Sequence, residues 1–165
     1  MKIQPLSEET LEEALVLLIK VFNPSQDGED YPGIWFPASL HPERHKELFK
    51  KLGVKQLQYY VAVEKGKVIG TTGYYTLKED EKEAYWLAWF CVDKEYRGRG
   101  VGTSLLEFII EKARKEKKRY LRLYTSDNPD EADAQKLYDK FGFKTTKTES
   151  VKHNRYKRQY KELII

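Results

Sequence analysis

The sequence predicts an α/β domain in which helices flank a mixed, mostly antiparallel sheet. Hydrophobic residues follow a helical spacing at first, alternate with period two from Gln58, and return to helical spacing at Gly100. The strand, helix, strand run over residues 83–125 also implies one right-handed parallel crossover. The predicted order is β-α-α-β-β-β-α-β-α-β-β, and a chain of 165 residues is expected to form a single domain over residues 1–165.

The first part of the chain is predicted to contain a short strand and two helices. Lys2 to Pro5 is the strand, and Ser7 caps a helix whose apolar face carries Leu11, Leu15, Leu18, Ile19 and Phe22. Asn23 and Pro24 end this helix. The proline-rich, aromatic segment up to Pro42 is expected to be an ordered loop over a pocket. A charged helix then runs from Glu43 to Leu52 and stops at Gly53.

The rest of the chain is predicted to alternate between strands and helices. Residues 58–64 and 67–77 form a hairpin around Lys65 and Gly66, and residues 83–92 form a third long strand. A helix from Gly100 buries Leu105, Leu106, Ile109, Ile110 and Ala113. A strand over 120–125, a helix over 130–141 that ends at Gly142, and two strands in the tail complete the prediction.

Composition and charge narrow the class of protein. The chain has 30 basic and 26 acidic residues, a balance that is compatible with an anionic ligand but does not require nucleic acid. Cys91 is the sole cysteine, so an intrachain disulfide is excluded, and the three histidines lack metal-ligand spacing. The amino terminus lacks the features of a secretory signal and no apolar run reaches transmembrane length. We therefore expect a cytoplasmic protein without a metal site and without membrane attachment.

Three glycines alternate in the turn between the third long strand and the following helix, at Gly98, Gly100 and Gly102. Glycine permits positive φ and lets an anion approach the backbone, so that successive N–H groups point at one phosphate. The start of a helix adds further unpaired N–H groups and a favourable dipole. A tight turn with solvated arginines at 97 and 99 is the alternative. A Walker loop or a dinucleotide fingerprint would need other spacings.

The run Val92-Asp93-Lys94-Glu95-Tyr96-Arg97-Gly98-Arg99-Gly100-Val101-Gly102 resembles the Arg/Gln-x-x-Gly-x-Gly/Ala motif of the GNAT acetyltransferases. Arg97, Gly100 and Gly102 fill its fixed positions. Residues 137–143, Leu-Tyr-Asp-Lys-Phe-Gly-Phe, resemble a second signature of the family, Leu-Tyr-x-x-x-Gly-Phe. The resemblance implies the GNAT acyl-CoA N-acyltransferase fold, acetyl-CoA as co-substrate, and direct attack of an amine on the acetyl group. The segment before Gln58 matches the family only in its general pattern.

The resemblance also implies which residues contact the co-substrate. Main-chain groups of the strand before the turn, and amides of the turn itself, would hold pantetheine and pyrophosphate: Phe90, Cys91, Val92, Arg97, Gly98, Arg99, Gly100, Val101, Gly102 and Thr103. Asn128 is a further candidate, although the usual asparagine position corresponds to Glu131. Cys91 lies in an apolar strand with no nearby histidine in sequence, so a small packed residue is favoured over a nucleophile.

Tyr138 matches the family's tyrosine that protonates the departing CoA thiolate. A phenol with an ordinary pKa near 10 suits that role, and an active-site position is favoured over the alternative of a packing group beside Leu137 and Phe141. The general base is not identified, because residues 86–90 contain no glutamate. Glu83, Asp30 and a water relay are the candidates.

The acceptor is the least defined part of the prediction. Tyr31, Trp35, Phe36, Tyr74, Trp86 and Trp89 are candidates for an acceptor pocket, and part of this set is expected to be core. The basic and aromatic run 152–161 is interpreted as an outer strand with inward aromatics and solvated cations, in preference to a nucleic-acid surface. A small-amine N-acetyltransferase is favoured over a protein or peptide acetyltransferase and over an acyl-CoA-binding sensor. A homodimer would be typical of the family.

Overall fold

The computed structural model describes residues 1–28 and 30–165; Glu29, within the predicted loop of residues 23–42, lies outside the described residues. Within that part of the chain, eight strands form one sheet in the order β1-β2-β3-β4-β6-β8-β7, and β5 pairs with β3. The strands are β1 Lys2–Pro5, β2 Val54–Glu64, β3 Lys67–Leu77, β4 Ala84–Leu87, β5 Cys91–Val92, β6 Tyr120–Ser126, β7 Lys144–Ser150 and β8 Lys157–Ile164.

Five α-helices and three short 3-10 turns accompany these strands in the described residues. The helices are α1 Glu8–Phe22, α2 Pro32–Leu40, α3 Lys46–Leu52, α4 Val101–Lys115 and α5 Ala132–Phe141, and the 3-10 turns are Pro42–Arg44, Lys94–Tyr96 and Pro129–Glu131. No described helix combines the length and apolarity that crossing a bilayer requires.

The sheet has helices on both faces, as the predicted class requires. Helices α4 and α5 pack on one face around a cluster that includes Leu106, Ile109, Leu121 and Leu123. Helices α1, α2 and α3 pack on the other face, where Phe36 and Leu18 are fully buried. Strand β4 runs parallel to β6, and the remaining described pairs are antiparallel. This topology confirms the predicted mixed, mostly antiparallel α/β sheet.

The prediction of a loop over residues 23–42 was wrong for its second half, which forms α2. Pro32 occupies the first turn of the helix, where the missing N–H has no intrahelical partner to lose. Pro37 lies inside the helix and costs one hydrogen bond, but Phe36 packs its ring 4.2 Å from that of Tyr59 and Trp35 packs against Phe49. Tertiary packing therefore outweighs the local effect of proline.

Several boundaries and one buried helix face differ from the sequence prediction; β2, for example, begins at Val54 and not at Gln58. The charged helix begins at Lys46, after the 3-10 turn over Pro42–Arg44, and the last helix begins at Ala132 after a similar turn. Helix α1 buries Ala14, Leu17 and Leu18, whereas Ile19 and Phe22 of the predicted face are 40% and 38% exposed. The long strand predicted over residues 83–92 is split into β4 and β5, and this interruption shapes the site described next.

Candidate functional site

Strands β4 and β6 separate after a short stretch of parallel pairing. The pairing joins Ala84, Tyr85 and Trp86 to Tyr120, Leu121 and Arg122. Beyond it, β5 follows β3 while Leu123–Ser126 follow β8. The two strands therefore leave a cleft between them at their carboxyl ends, the edge of an α/β sheet where ligands usually bind.

An irregularity between β4 and β5 lies at the mouth of this cleft. Trp89 has a φ of 38°, and the side chains of both Ala88 and Trp89 join the cluster under α1 instead of alternating. The Thr71 hydroxyl donates a hydrogen bond to the Trp89 carbonyl at 2.6 Å and so holds the bulge. A bulge re-aims the main chain at this point, which explains why one continuous strand was the wrong prediction.

The glycine turn lies at the carboxyl end of β5 and begins α4. Gly98 and Gly100 have φ values of 73° and 82°, and a Cβ added at either would meet no atom within 4 Å. The first intrahelical bond runs from the Ser104 N–H to the Gly100 carbonyl, so the N–H groups of Val101, Gly102 and Thr103 precede the hydrogen-bonded ladder. Open space, positive φ and a helix start together suit an anionic phosphate group.

The third glycine has a different function. A Cβ on Gly102 would lie 3.4 Å from a methyl of Leu137 and 3.6 Å from the Phe90 ring. Gly102 therefore allows α4 to pack closely against α5 and the bulge, and it connects the turn to the helix that carries Tyr138.

The arginines of the turn are held in place without filling its open side. The Arg97 Nε–H donates to the Val92 carbonyl at 3.2 Å, which connects the turn to the end of β5. Arg99 pairs with Glu64 at 3.1 Å and its guanidinium lies 4.9 Å from the centre of the Tyr96 ring. Both residues stay exposed and add positive charge beside the glycines.

Asp93 stabilises the glycine turn from its buried side. The sequence analysis did not identify this residue as part of the site. Its side chain is 4% exposed, accepts the Glu95 N–H at 3.1 Å, and lies 3.7 Å from Lys20 of α1 and 3.5 Å from Lys67 of β3. Burial alone would raise the pKa of Asp93, but the Glu95 N–H and the two lysines outweigh it and lower the pKa. One sequence signal could have identified Asp93. It directly follows a buried strand and lies two residues before a backbone N–H that needs an acceptor.

Cys91 is a packed residue at the cleft. Its side chain is 4% exposed, and its sulfur lies 3.4 Å from the Thr71 hydroxyl. Burial raises the pKa of the Cys91 thiol to about 11, so the thiol stays protonated at neutral pH. The geometry agrees with the predicted structural role and leaves the chain without a thiolate nucleophile at this position.

Tyr138 lies under the cleft on α5. Its ring is 6% exposed and lies 6.0 Å from the Phe90 ring and 5.6 Å from the Phe143 ring, measured between centroids. Burial, followed by the Glu131 carboxylate and the Cys91 thiol, raises the pKa of Tyr138 above its ordinary value. A tyrosine that is protonated and close to the bulge has the state that a proton donor needs.

Asn128 and Glu131 occupy the end of β6, on the other side of the cleft. The Asn128 side chain accepts the Asp130 N–H at 3.0 Å and so caps the 3-10 turn. Glu131 accepts hydrogen bonds from the Ser126 N–H at 3.0 Å and the Ser126 hydroxyl at 2.6 Å, and also from the Thr125 hydroxyl. Glu131 therefore satisfies the end of the strand, at the position where the resemblance implied an asparagine.

The two carboxylates considered as bases lie in different places. Glu83 precedes β4, at the end where β4 and β6 are still paired, and its half-exposed carboxylate lies 3.9 Å from Arg122. Asp30 precedes α2 and is exposed, and its charge adds to the rise that burial causes in the pKa of Tyr124. Glu83 therefore lies away from the end of the cleft where the two strands have separated.

The aromatic residues predicted to line an acceptor pocket fall into two groups, one in the core and one at the cleft. Phe36 and Trp35 lie on the buried side of α2, against Tyr59 and Phe49, and Tyr74 stacks on Tyr85 at 3.9 Å on the α4 face. Trp86, Trp89 and Tyr31 remain partly exposed.

The predicted outer strand at 152–161 was also partly wrong, because residues 151–156 form a connection and Lys161 is buried in an ion pair with Asp139 at 2.8 Å. The described residues hold no cluster of metal-ligating side chains.

Known proteins share this sequence pattern and this fold. The sequence model described as the acetyltransferase (GNAT) family matches residues 26–143. Human N-acetyltransferase 8B is 27% identical in an alignment of 130 residues that covers 70% of this chain and 55% of that protein. The chain thus spans about half the length of this curated relative.

Two solved structures show the same fold along almost the whole chain. An aminoglycoside 6'-N-acetyltransferase complexed with coenzyme A superposes with a TM-score of 0.74 at 14% identity, covering 99% of this chain and 97% of that one. A ribosomal-protein-alanine N-acetyltransferase from Brucella melitensis has a TM-score of 0.70 at 18% identity and is covered completely. The matched sequence segment contains the glycine turn, the cleft and Tyr138, and we conclude that the chain belongs to the acetyltransferase (GNAT) family.

Proposed function

We propose that this chain transfers the acetyl group of acetyl-CoA to the primary amine of a small molecule. The observation that carries the proposal is the alignment of three features: the open glycine turn at the start of α4, the cleft between β4 and β6, and Tyr138 beneath it. The turn suits a pyrophosphate, the cleft suits an extended thiol arm, and a protonated phenol lies at its inner end.

Amides of residues 98–103 would hold the pyrophosphate, with Arg97 and Arg99 adding charge. Main-chain groups of Phe90, Cys91 and Val92 would line the path of pantetheine, with Asn128 on the opposite wall. The acetyl group would then lie beside the bulge, where hydrogen-bond donors from the main chain polarise its carbonyl. The chain's contribution at this stage is to orient the two reactants and exclude water.

The reaction needs no covalent intermediate with the protein. The neutral amine nitrogen attacks the acetyl carbon, the carbon–sulfur bond breaks, and the electron pair leaves with sulfur. Tyr138 donates its proton to the thiolate, and the proton lost from the amine passes to solvent or to a nearby carboxylate. Cys91 is protonated and buried, which supports direct transfer over an acetyl-cysteine route.

The charges around the cleft favour a small acceptor over a basic peptide. A groove for a basic chain would present several free carboxylates. Here Asp80 and Glu162 both pair with Arg122, at 2.7 Å and 2.8 Å, and Glu149 pairs with Lys147 at 2.7 Å. These three carboxylates are therefore engaged by cations and do not provide the free acidic groups that an extended basic segment would need.

Calorimetric titration with acetyl-CoA and CoA, followed by thiol release with a panel of amines, tests the proposal. We expect both nucleotides to bind and thiol to appear only when an amine is added. Acetyl-CoA binding without release from any small amine, peptide or protein would support an acyl-CoA sensor. Failure to bind either nucleotide would contradict the phosphate-turn assignment, and release with peptides alone would move the acceptor to the peptide class.

A further inference from the structure

The parallel pairing of β4 with β6 ends at one pair of residues, Trp86 and Arg122. The side chains of the preceding pair, Tyr85 and Leu121, belong to the cluster under α4 and α5. Because side chains alternate along a strand, Trp86 and Arg122 point to the opposite face of the sheet. Beyond this pair the two strands separate and the cleft begins. The last pair therefore marks the closed end of the cleft.

Asp80, in the turn between β3 and β4, connects the side chains of this last pair. Its Oδ2 atom accepts a hydrogen bond from the Trp86 Nε1–H at 2.9 Å and another from the Arg122 Nη1–H at 2.7 Å. The Asp80 side chain is only 11% exposed, and its carbonyl accepts the N–H groups of residues 83–84 at 2.9 Å and 3.0 Å, which fixes the turn. One oxygen atom thus joins a side chain of β4 to a side chain of β6. We call Asp80, Trp86 and Arg122 the strand clasp.

The strand clasp is also held from both sides of the sheet. The Trp86 ring stacks on the ring of Tyr75 in β3, with centroids 6.1 Å apart. The Arg122 Nε–H donates to Glu162 of β8 at 2.8 Å. These contacts limit the positions that the two side chains can take, so the strand clasp fixes β4 and β6 relative to their outer neighbours as well as to each other.

The main chain that borders the cleft begins directly after the strand clasp. The Ala88 N–H still donates to the Gly73 carbonyl at 2.9 Å, and the bulge at Trp89 follows. The groups proposed to contact pantetheine, Phe90–Val92, come next along the chain. A small shift of the last pair would therefore move these groups relative to β6, and a displacement of this kind far from the reacting atoms can cost much of an enzyme's activity.

We propose that Asp80 is a positioning residue for acetyl-CoA. Through Trp86 and Arg122, it fixes the point at which β4 and β6 separate and so sets the width of the cleft that receives pantetheine. Asp80 lies before β4, whereas the glycine turn follows β5, so its effect falls on the cleft and not on the pyrophosphate. The inference rests on the proposed function for its ligand, but the fixing of the strands is testable alone.

The test compares acetyl-CoA with 3′-phospho-ADP, which carries the pyrophosphate of CoA and lacks pantetheine. Calorimetry measures the binding of both ligands to wild type, Asp80→Ala, Trp86→Phe and Glu162→Ala. Glu162→Ala is the matched control, because Glu162 pairs with the same guanidinium at 2.8 Å from β8, whereas the Trp86 N–H donates to Asp80. Trp86→Phe keeps an aromatic ring and has no N–H donor.

We expect Asp80→Ala to bind acetyl-CoA roughly tenfold more weakly than wild type, because the pantetheine contacts are displaced. Trp86→Phe should lose about threefold, as one hydrogen bond is removed, and Glu162→Ala should lose less than about twofold. All four proteins should bind 3′-phospho-ADP equally, since the glycine turn is unchanged.

Equal acetyl-CoA affinities in Asp80→Ala and Glu162→Ala would overturn the inference, and so would a parallel loss of both ligands in Asp80→Ala. If Asp80→Ala does not fold, an unchanged acetyl-CoA affinity in Trp86→Phe would overturn it. Failure of wild type to bind either ligand would instead contradict the proposed function. Amide hydrogen exchange over residues 87–92 would then decide the inference, because the strand clasp predicts faster exchange in Trp86→Phe than in Glu162→Ala, and equal exchange would overturn it.

Discussion

The proposed phosphate-binding turn takes its groups from one run of residues, 93–103, whereas the cleft lies between β4 and β6, two strands that helix α4 separates in the chain. In the first region, a strand end, glycines and a helix start follow one another in the chain, so local chemistry is enough to recognise it. In the second, the sheet order brings distant residues together. A site that one segment builds can be read from sequence, and a site that topology builds needs the structure.

The largest expected effect tests the first region directly. Gly100→Glu should weaken acetyl-CoA binding by roughly a hundredfold or more, because a carboxylate would enter the open space meant for an anion and like charges repel. Calorimetric titration measures the change. Any non-glycine residue at a φ of 82° also carries backbone strain.

Gly66→Glu separates the two causes, since Gly66 has a φ of 77°, open space around it, and a place in the β2–β3 turn. It should show a similar loss of thermal stability with unchanged acetyl-CoA affinity. If both variants lost affinity equally, strain would explain the result and the turn would lose its assigned role.

The second prediction concerns the residue that lies between the two regions. Tyr138→Phe should lower kcat by roughly a hundredfold, in the range typical of a lost general acid, with little change in acetyl-CoA affinity. Tyr85→Phe, another buried tyrosine of the same cluster, is the control and should keep both properties. An equal loss of affinity and kcat in Tyr138→Phe would indicate a packing role.

The raised pKa of Tyr138 gives this prediction a pH dependence. Because burial raises the pKa above its ordinary value near 10, the phenol stays protonated and the donor stays competent through pH 9. The kcat of the wild type should therefore show no loss from Tyr138 ionisation up to that pH. A decline in kcat with an apparent pKa below 9 that disappears in Tyr138→Phe would contradict the protonated-donor role.

The same contrast explains which parts of the fold the sequence could predict. The hairpin around Gly66 and the buried face of α4 follow from turn chemistry and periodicity, and both were confirmed. Helix α2 was missed because its stability comes from Phe36 against Tyr59, which outweighs two prolines. The bulge at Trp89 was missed because it depends on Thr71, which lies on the neighbouring strand.

The third prediction asks how far the phosphate turn depends on distant residues. Asp93→Asn keeps an acceptor for the Glu95 N–H but loses the charge that faces Lys20 and Lys67, and should destabilise the fold by about 1–2 kcal/mol. Denaturant unfolding at pH 7 measures this. Glu95→Gln, which alters an exposed carboxylate 3.6 Å from Lys67, should have a much smaller effect.

The pH dependence of the difference between wild type and Asp93→Asn follows from its sign. The folded-state pKa of Asp93 is lowered, so its charge stabilises the fold above the unfolded pKa near 3.9 and the benefit is lost as pH falls through the folded value. The stability difference between the two proteins should therefore shrink below pH 4. A difference that stayed constant down to pH 2 would show that the lost interaction is not ionic.

The smallest expected effect concerns Asn128, for which a capping role and a contact with acetyl-CoA are both proposed. Its side-chain oxygen accepts the Asp130 N–H at 3.0 Å, and its amide NH₂ is the group that would donate to a substrate carbonyl. Asn128→Ala should destabilise the fold by about 1 kcal/mol, as the loss of a cap does, and weaken acetyl-CoA only about twofold to threefold. Asn128→Asp keeps the capping oxygen, so it should restore stability without restoring the lost affinity. Recovery of both would make Asn128 purely a cap, and a tenfold loss of affinity in Asn128→Ala would place it among the residues that bind acetyl-CoA.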